Sequence, residues 1–214
     1  MAIIYGLPPS PYVRKVMLAH VFKNMSYELV PTFPGSEEAS FREVSPLGKI
    51  PAYRVNDSFG FSDSTVITAY IDRVNPENAL YPADVNDYAQ ALWLEKYNDT
   101  KLSEVTSALY FQRVVGPAFF EHTTEEERVS DLITNIIPVE LNYLEKALAS
   151  NNYFVNNTFS IADLVIGASL MSLEHANFEI DNAKWPALAK FATAFFNRPE
   201  VVAQFNAEKS LINK

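Results

Sequence analysis

AIIYGLPPSPYVRKVM, residues 2–17, changes character twice within a few turns of chain. Ala2 to Tyr5 is a short apolar run, closed by Gly6, Pro8 and Pro9, and predicts a buried strand. Ser10-Pro11 then reads as a helix start. Serine is a preferred N-cap, and proline suits the first helical position because the amide it lacks has no intrahelical partner there. Val13, Val16, Met17, His20 and Val21 follow at helical spacing. A strand that ends where a helix begins puts backbone N–H groups and a positive dipole end around Ser10. A hydroxyl at that point either caps the helix or donates to a bound thiolate and favours its charged form.

Outward from this stretch, strand and helix signals alternate. Tyr27 to Val30 predicts a second strand and Glu37 to Val44 a short helix. Ala52 to Val55 and Ser58 to Phe61 flank Asn56-Asp57 and predict a hairpin, and Asp63 to Val74 a third helix closed by Asn75-Pro76. The order β-α-β-α-β-β-α predicts an α/β unit with a mainly parallel sheet finished by an antiparallel hairpin. Asn75 to Ala83 holds two prolines and no periodicity, so it reads as a linker.

Beyond it only helix patterns appear. Asp84 is positioned to cap a long helix with Val85, Tyr88, Ala89, Leu92 and Trp93 on one face, running to about Val115 and stopped by Gly116-Pro117. Thr124 to about Ala149 predicts another, which Pro138 should kink or split. Ser160 and Asp163 form a capping box, Phe159 can staple onto Leu164, and the helix to His175 is apolar all round, as a fully buried helix is. Two more helices are expected, around Trp185 to Phe196 and from Pro199 to Phe205. The domains expected are 1–76 and 84–214.

Composition narrows the function. There is no cysteine, which excludes disulfides, thiolate metal sites and a protein-supplied cysteine nucleophile. His20, His122 and His175 lie far apart, so no metal is expected. Net charge is -9. Residues 1–80 carry 7 basic and 8 acidic side chains, and the remainder 10 and 18. An acidic chain without a basic stripe speaks against nucleic acid and anionic membrane surfaces as partners. No apolar run is long enough for a span, and the first residues lack the pattern of a signal peptide, so the cytoplasm is the expected location. The nearly neutral front half can hold a small anion through Arg14, Lys15 and Lys49, which read otherwise as ordinary solvated cations.

Two more segments carry chemistry. In SPLGKIPA, residues 45–52, a proline opens a strand, where it cannot donate to the ladder. If Ile50-Pro51 is cis, the backbone of Ile50 turns outward and can pair with a peptide-like ligand; a trans proline at a strand start is the alternative. In Ser62-Asp63-Ser64-Thr65 the N–H of Ser64 can hold a carboxylate and Asp63 an ammonium, or Ser62 or Asp63 simply caps the helix.

The order of these motifs resembles the cytosolic glutathione S-transferase family over essentially the whole chain. SPYVRKV at residues 10–16 is similar to bacterial, serine-class-like members, PLGKIP at 46–51 to the family's cis-proline motif, and Asp63-Ser64 to its Glu-Ser or Gln-Ser pair. Leu80-Tyr81-Pro82 resembles the family linker, Phe159 to Asp163 its second-domain capping box, and Arg198 to Val201 the start of its last helix. The resemblance implies a thioredoxin-like N-terminal domain, an all-α C-terminal domain and a homodimer. It implies glutathione as co-substrate, conjugated to a small apolar electrophile, in the manner of a cytoplasmic detoxification enzyme. Ser10 would stabilise the thiolate, with Tyr5 the runner-up, because other classes place a tyrosine at the end of the first strand. Ile50, beside Pro51, would pair with the cysteinyl backbone, Asp63 and Ser64 would hold the γ-glutamyl end, and Lys49 could reach the glycyl carboxylate. Pro9, Tyr12, Tyr97, Phe111, Val115 and Phe119 would line the electrophile site. Each of these rings and side chains is otherwise accounted for by core packing. Asp63 is shorter than the usual residue, Ser45 replaces a common Asn, and Pro138 is unusual in its helix. The alternatives are a glutathione-dependent isomerase of the maleylacetoacetate type, for which Arg113 is the obvious cation for an acidic substrate, and a non-catalytic binding or scaffold protein with the same fold.

Overall fold

The computed structural model describes residues 1–212. The chain divides into two compact units, Met1–Tyr81 and the part from Pro82 onward. The first unit is thioredoxin-like. It holds β1 (Ala2–Gly6), α1 (Pro11–Phe22), β2 (Tyr27–Pro31), α2 (Ala39–Arg42), β3 (Ala52–Asn56), β4 (Phe59–Ser62) and α3 (Ser64–Val74). The sheet order is β2-β1-β3-β4. Only β1 and β2 pair in parallel, whereas β3 runs antiparallel to both β1 and β4. The expectation of a mainly parallel sheet is therefore corrected. A parallel neighbour needs a connection that returns the chain to the far end of the sheet. Residues 32–51 carry only the four-residue α2, and β3 starts beside the end of β1, with Ala52 opposite Tyr5. The chain stays at one end and enters β3 in the reverse direction. α2 is also shorter than the predicted Glu37 to Val44.

Side chains alternate across the sheet as strand geometry requires. One face carries Tyr5 and Ala52 with Ile3 and Val30, and α2 covers it through Phe41. On the other face Tyr53 meets His20 of α1 at 5.5 Å and Tyr70 of α3 at 6.1 Å between ring centroids. The aperiodic residues after α3 belong to this unit for a polar reason. Buried Lys23 pairs with Asp72 at 2.6 Å and donates to the carbonyls of Glu77 and Asn78, while Asp72 accepts from the N–H of Leu80 at 2.7 Å.

His20 is fully buried, its Nδ1 lies 3.3 Å from the carbonyl of Met25, and its Nε2 has no hydrogen-bond partner. Burial lowers its pKa from 6.5 to about 4, against the opposing pull of the Met25 carbonyl. The neutral ring stabilises the fold above pH 6.5, and that contribution disappears as pH falls through about 4, because the unfolded chain takes up the proton first. At about 1.4 kcal/mol per pH unit the loss is on the order of 3 kcal/mol. Urea melts of the wild type and of His20→Phe should diverge in slope between pH 6.5 and 4, with the variant flatter. Parallel slopes would show that His20 does not titrate differently on unfolding.

The second unit is all helical, apart from an isolated bridge between Val155 and Thr158. Asp84 caps α4 (Val85–Tyr97) by accepting from the N–H groups of Asn86 and Asp87. The helix continues through a π-helical turn (Asn98–Leu102), α5 (Ser103–Tyr110), a second π turn (Phe111–Val115) and α6 (Gly116–Phe119). Gly116-Pro117 does not stop it, contrary to the sequence-based expectation. In the π turn the Gly116 N–H donates to the carbonyl of Phe111, so the next carbonyl, of Gln112, faces the proline that has no N–H. The hydroxyl of Thr124 donates to that carbonyl at 2.8 Å and removes the cost of the break. Pro138 is accommodated likewise: α7 (Glu126–Asp131) passes through a π turn (Leu132–Ile136) into α8 (Ile137–Leu148).

α9 (Ile161–His175) is buried along almost its whole length, as its composition requires. Ser103, Ser169 and Asn98 bond to one another where the first π turn meets α9. A Cβ on Gly167 would come within 2.5 Å of the Phe195 ring, so the glycine is what lets α9 and α10 (Pro186–Phe196) approach. α11 (Pro199–Ile212) runs further than the expected Phe205. Among the described residues no helix is long and apolar enough to cross a membrane.

Candidate functional site

The ladder register builds the candidate site. Tyr5 faces Ala52, and Ala52 faces Ser62. The end of β1, the start of β3 and the end of β4 therefore lie in one row at one end of the sheet. Whatever follows β1, precedes β3 or follows β4 is delivered there: Ser10, Ile50-Pro51 and Asp63-Ser64.

Ser10 is half-buried at the N-cap of α1, with Pro11 in the first turn, and its side chain makes no capping hydrogen bond. Its backbone is engaged, since its N–H donates to Leu7 and its carbonyl accepts from Arg14. The hydroxyl sits at the positive end of a twelve-residue helix without the local partner a capping serine has. Tyr5 differs. It is 4 % exposed, packs at 6.1 Å on Phe41, and its hydroxyl accepts from Arg54 Nε at 3.2 Å. Arg54 is in turn held by the carbonyl of Ser40 and the carboxylate of Glu43. The Tyr5 hydroxyl is thus committed to the α2 side of the sheet.

The Ile50-Pro51 peptide is cis. The loop before it is set by two residues. Gly48 adopts φ 65°, where a Cβ would fall 2.6 Å from the Arg42 guanidinium, and its N–H closes a turn onto Ser45. Fully buried Ser45 donates its hydroxyl to the carbonyl of Lys49 at 2.7 Å. The Ser45 hydroxyl thereby holds the backbone immediately before Ile50, a role its place in the sequence did not signal. Lys49 itself is exposed.

Asp63 occupies φ 85° and caps α3: Oδ1 accepts from the N–H groups of Thr65 at 2.9 Å and Val66 at 3.2 Å. The capping reading holds for that oxygen. The N–H of buried Ser64 is left out of the cap and belongs to the positive end of the helix. Arg14 and Lys15 are not the solvated cations their chemistry suggested, being 0 % and 1 % exposed. Lys15 Nζ donates to Thr65 Oγ1 at 3.0 Å and ties α1 to the start of α3, fixing Ser10 and Ser64 relative to each other. Only a tertiary contact fifty residues away reveals this role.

Of the residues expected around an electrophile, Pro9 and Tyr12 are half-buried in the first unit. In the second unit Phe111 and Val115 bound the second π turn and Phe119 ends α6, with Phe111 and Phe119 exposed. The Phe111 ring lies 6.0 Å from Phe120 and 5.1 Å from His122, two aromatic groups the sequence reading passed over. π turns recur at functional sites because they re-aim side chains. Tyr97 does not join this group. It stands about 20 Å earlier along the helix, packs against Tyr143 with the rings tilted and 4.5 Å between centroids, and donates its hydroxyl to buried Glu140. Burial, and then the Glu140 carboxylate, push its pKa up. Arg113 Nη1 donates to the carbonyls of Ala176 at 2.9 Å and Asn177 at 3.5 Å, at the end of α9.

A thioredoxin-like unit with a serine at the first helix start and a cis-proline loop, followed by a helical unit, defines a class, and comparison with known proteins places the chain in it. Residues 4–79 match the glutathione S-transferase N-terminal domain and residues 111–208 the glutathione S-transferase C-terminal domain. The chain belongs to the glutathione S-transferase family. It is 26 % identical over 191 residues to elongation factor 1-gamma 2 of Oryza sativa subsp. japonica, covering 86 % of this chain but 44 % of that protein. To glutathione S-transferase Z1 of Arabidopsis thaliana it is 24 % identical over 202 residues, covering 92 % and 87 %. A glutathione S-transferase from Rhodospirillum rubrum F11 superposes with TM-score 0.83 at 19 % identity, over 95 % of this chain and 91 % of that one, a likeness of fold.

Proposed function

We propose that this protein is a glutathione transferase in which Ser10 donates a hydrogen bond to the glutathione sulfur and favours its thiolate. The observation that carries the reading is the Ser10 hydroxyl: it stands at the start of α1, takes no part in capping, and shares one end of the sheet with Ile50 and Ser64. Glutathione supplies the nucleophile. Its thiol, near 8.5 unperturbed, is only a few per cent ionised at neutral pH, and lowering it by about two units, worth about 2.7 kcal/mol, makes it mostly thiolate. A charge-assisted hydrogen bond and a helix end together supply a term of that size. Ile50 pairs with the peptide backbone, Ser64 N–H and the uncapped oxygen of Asp63 hold the γ-glutamyl end, and exposed Lys49 reaches the glycyl carboxylate. Phe111, Val115 and Phe119 of the second unit are the apolar side chains that meet a small electrophile. The assembly proposed is a homodimer.

One observation favours a second reading. The chain matches 44 % of an elongation factor 1-gamma, so a non-catalytic binding unit with the same fold is the rival. The isomerase reading ranks lower, because the guanidinium of its one candidate cation, Arg113, is anchored on the carbonyls ending α9. Glutathione itself separates the first two. At a hundred times its dissociation constant it should stabilise the fold by about 2.7 kcal/mol, a rise in Tm of roughly 5–10 °C for a chain of this size. Calorimetry that finds no binding at millimolar glutathione would remove the enzyme reading and leave the scaffold.

A further inference from the structure

His122 follows the long helix of the second unit, and the way that helix ends fixes its ring. After α6 the chain turns through Glu121 at φ 52°, and the N–H of His122 returns to the carbonyl of Gly116 at 3.1 Å. The ring then lies on a residue without a side chain: a Cβ on Gly116 would come within 2.9 Å of its Cδ2. It packs at a tilt against Phe111, with 5.1 Å between ring centroids.

The tautomer follows from the partners. The backbone N–H of Glu125 donates to Gln112 Oε1 at 2.9 Å, and an N–H only donates, so that atom is the amide oxygen. Gln112 Nε2 accordingly donates to Glu125 Oε1 at 3.2 Å. His122 Nε2 stands 3.0 Å from the same Gln112 oxygen and must carry a hydrogen. The neutral ring is therefore the Nε2–H form, and its proton is gained and lost at Nδ1. Among the described residues Nδ1 has no hydrogen-bond partner. The side chain is 26 % exposed, and with Cδ2 on Gly116 and Nε2 on Gln112 the open edge is the one that carries Nδ1. Glu125 Oε1, 3.8 Å from Nε2, pairs with the ring when it is protonated. Arg113 of the same π turn is held by the carbonyls of Ala176 and Asn177, α6 has no ionisable side chain, and Glu121 and Glu126 are exposed to solvent.

We infer that His122 is a catalytic acid for electrophiles whose oxygen gains negative charge as sulfur adds, namely α,β-unsaturated carbonyl compounds. The inference rests on the reading in which Phe111 meets the electrophile, since His122 packs on that ring. The glutathione sulfur bonds to the β-carbon, and the double-bond pair shifts to make an enolate. The imidazolium gives its Nδ1 proton to the enolate oxygen and becomes neutral. The enol reverts to the carbonyl compound, and the ring recovers a proton from water while Gln112 holds its other nitrogen in place. A proton delivered as the charge develops lowers the barrier to this addition. A chloride leaving an aromatic ring takes no proton, so that reaction lacks the step His122 serves.

The test compares trans-2-nonenal with 1-chloro-2,4-dinitrobenzene, each with glutathione, across pH. In the wild type, kcat/KM for the enal should rise with the thiolate and fall again at alkaline pH as the ring loses its proton, whereas that for the aryl chloride should rise and level off. His122→Gln should lower the ratio of enal to chloride kcat/KM at neutral pH by about a hundredfold and abolish the alkaline fall. A merely structural role would lower both rates and leave the ratio in place. If the variant does not fold, the wild-type profiles decide by themselves. The inference is overturned if the wild-type enal profile has no alkaline fall, or if His122→Gln leaves either that fall or the ratio unchanged. A wild type active on the chloride and inert toward the enal also overturns it, with the transferase reading standing. A wild type inert toward both removes the transferase reading and this inference with it.

Discussion

Ser10→Ala should raise the pKa of glutathione bound to this protein by about one to two units and cut the transfer rate at neutral pH by about ten- to a hundredfold. The loss should shrink to a few-fold above pH 9, where the thiol ionises unaided. The start of α1 remains in the variant, so the helix end continues to favour the thiolate and the loss is not complete. Tyr5→Phe is the control. Its hydroxyl accepts from Arg54, and losing that contact should cost about 1 kcal/mol of stability while leaving the thiol titration in place. The ultraviolet absorbance of the bound thiolate, followed across pH for each variant, reads both outcomes. A titration unmoved by Ser10→Ala and raised by Tyr5→Phe would reverse the assignment, and the family membership would stand.

Asp163→Ala should produce the largest loss of stability from a single side chain. The carboxylate is fully buried and accepts from the N–H of Phe154 at 2.9 Å, the N–H of Ser160 at 2.8 Å and the Ser160 hydroxyl at 3.0 Å. Removal strands two buried amides and a hydroxyl at the start of α9, around which the second unit is packed. Each stranded group costs about 1–3 kcal/mol. The burial of an ionised carboxylate, relieved by the substitution, offsets part of this, and a net loss of about 3 kcal/mol at pH 7 is expected. Burial raises the Asp163 pKa from 3.8 to about 6, outweighing the hydrogen bonds from Phe154 and Ser160 that favour the charge. The associated stability is fully present below pH 3.8 and lost as pH rises through about 6, the reverse of His20. The gap between wild type and Asp163→Ala in urea melts should therefore widen from pH 7 to pH 4. An unchanged midpoint at pH 7 would mean that water satisfies these groups and that the start of α9 is not a dry core.

The sequence by itself determined what is decided within a few residues. The buried strand at Ala2–Gly6, the helix start at Ser10-Pro11, the Asp84 cap and the Ser160–Asp163 capping box are local signals, each a matter of one turn of chain. So is the composition of α9, which is apolar all round and therefore buried wherever it lies. Tertiary structure decided whatever depends on a distant partner. The direction of β3 follows from which end of the sheet residues 32–51 reach, and no periodicity encodes that. The helix passes Pro117 because Thr124 supplies the donor the proline lacks. Lys15 is buried because Thr65, fifty residues on, receives its ammonium, and Ser45 orients Lys49 through a hydroxyl that reads as unremarkable in a linear chain. The hydrogen bonding of Ser10 and Tyr5 is of the same kind. Both are hydroxyls near the end of β1, and only the fold brings Arg54, forty-nine residues away, onto Tyr5 while leaving Ser10 outside its own cap.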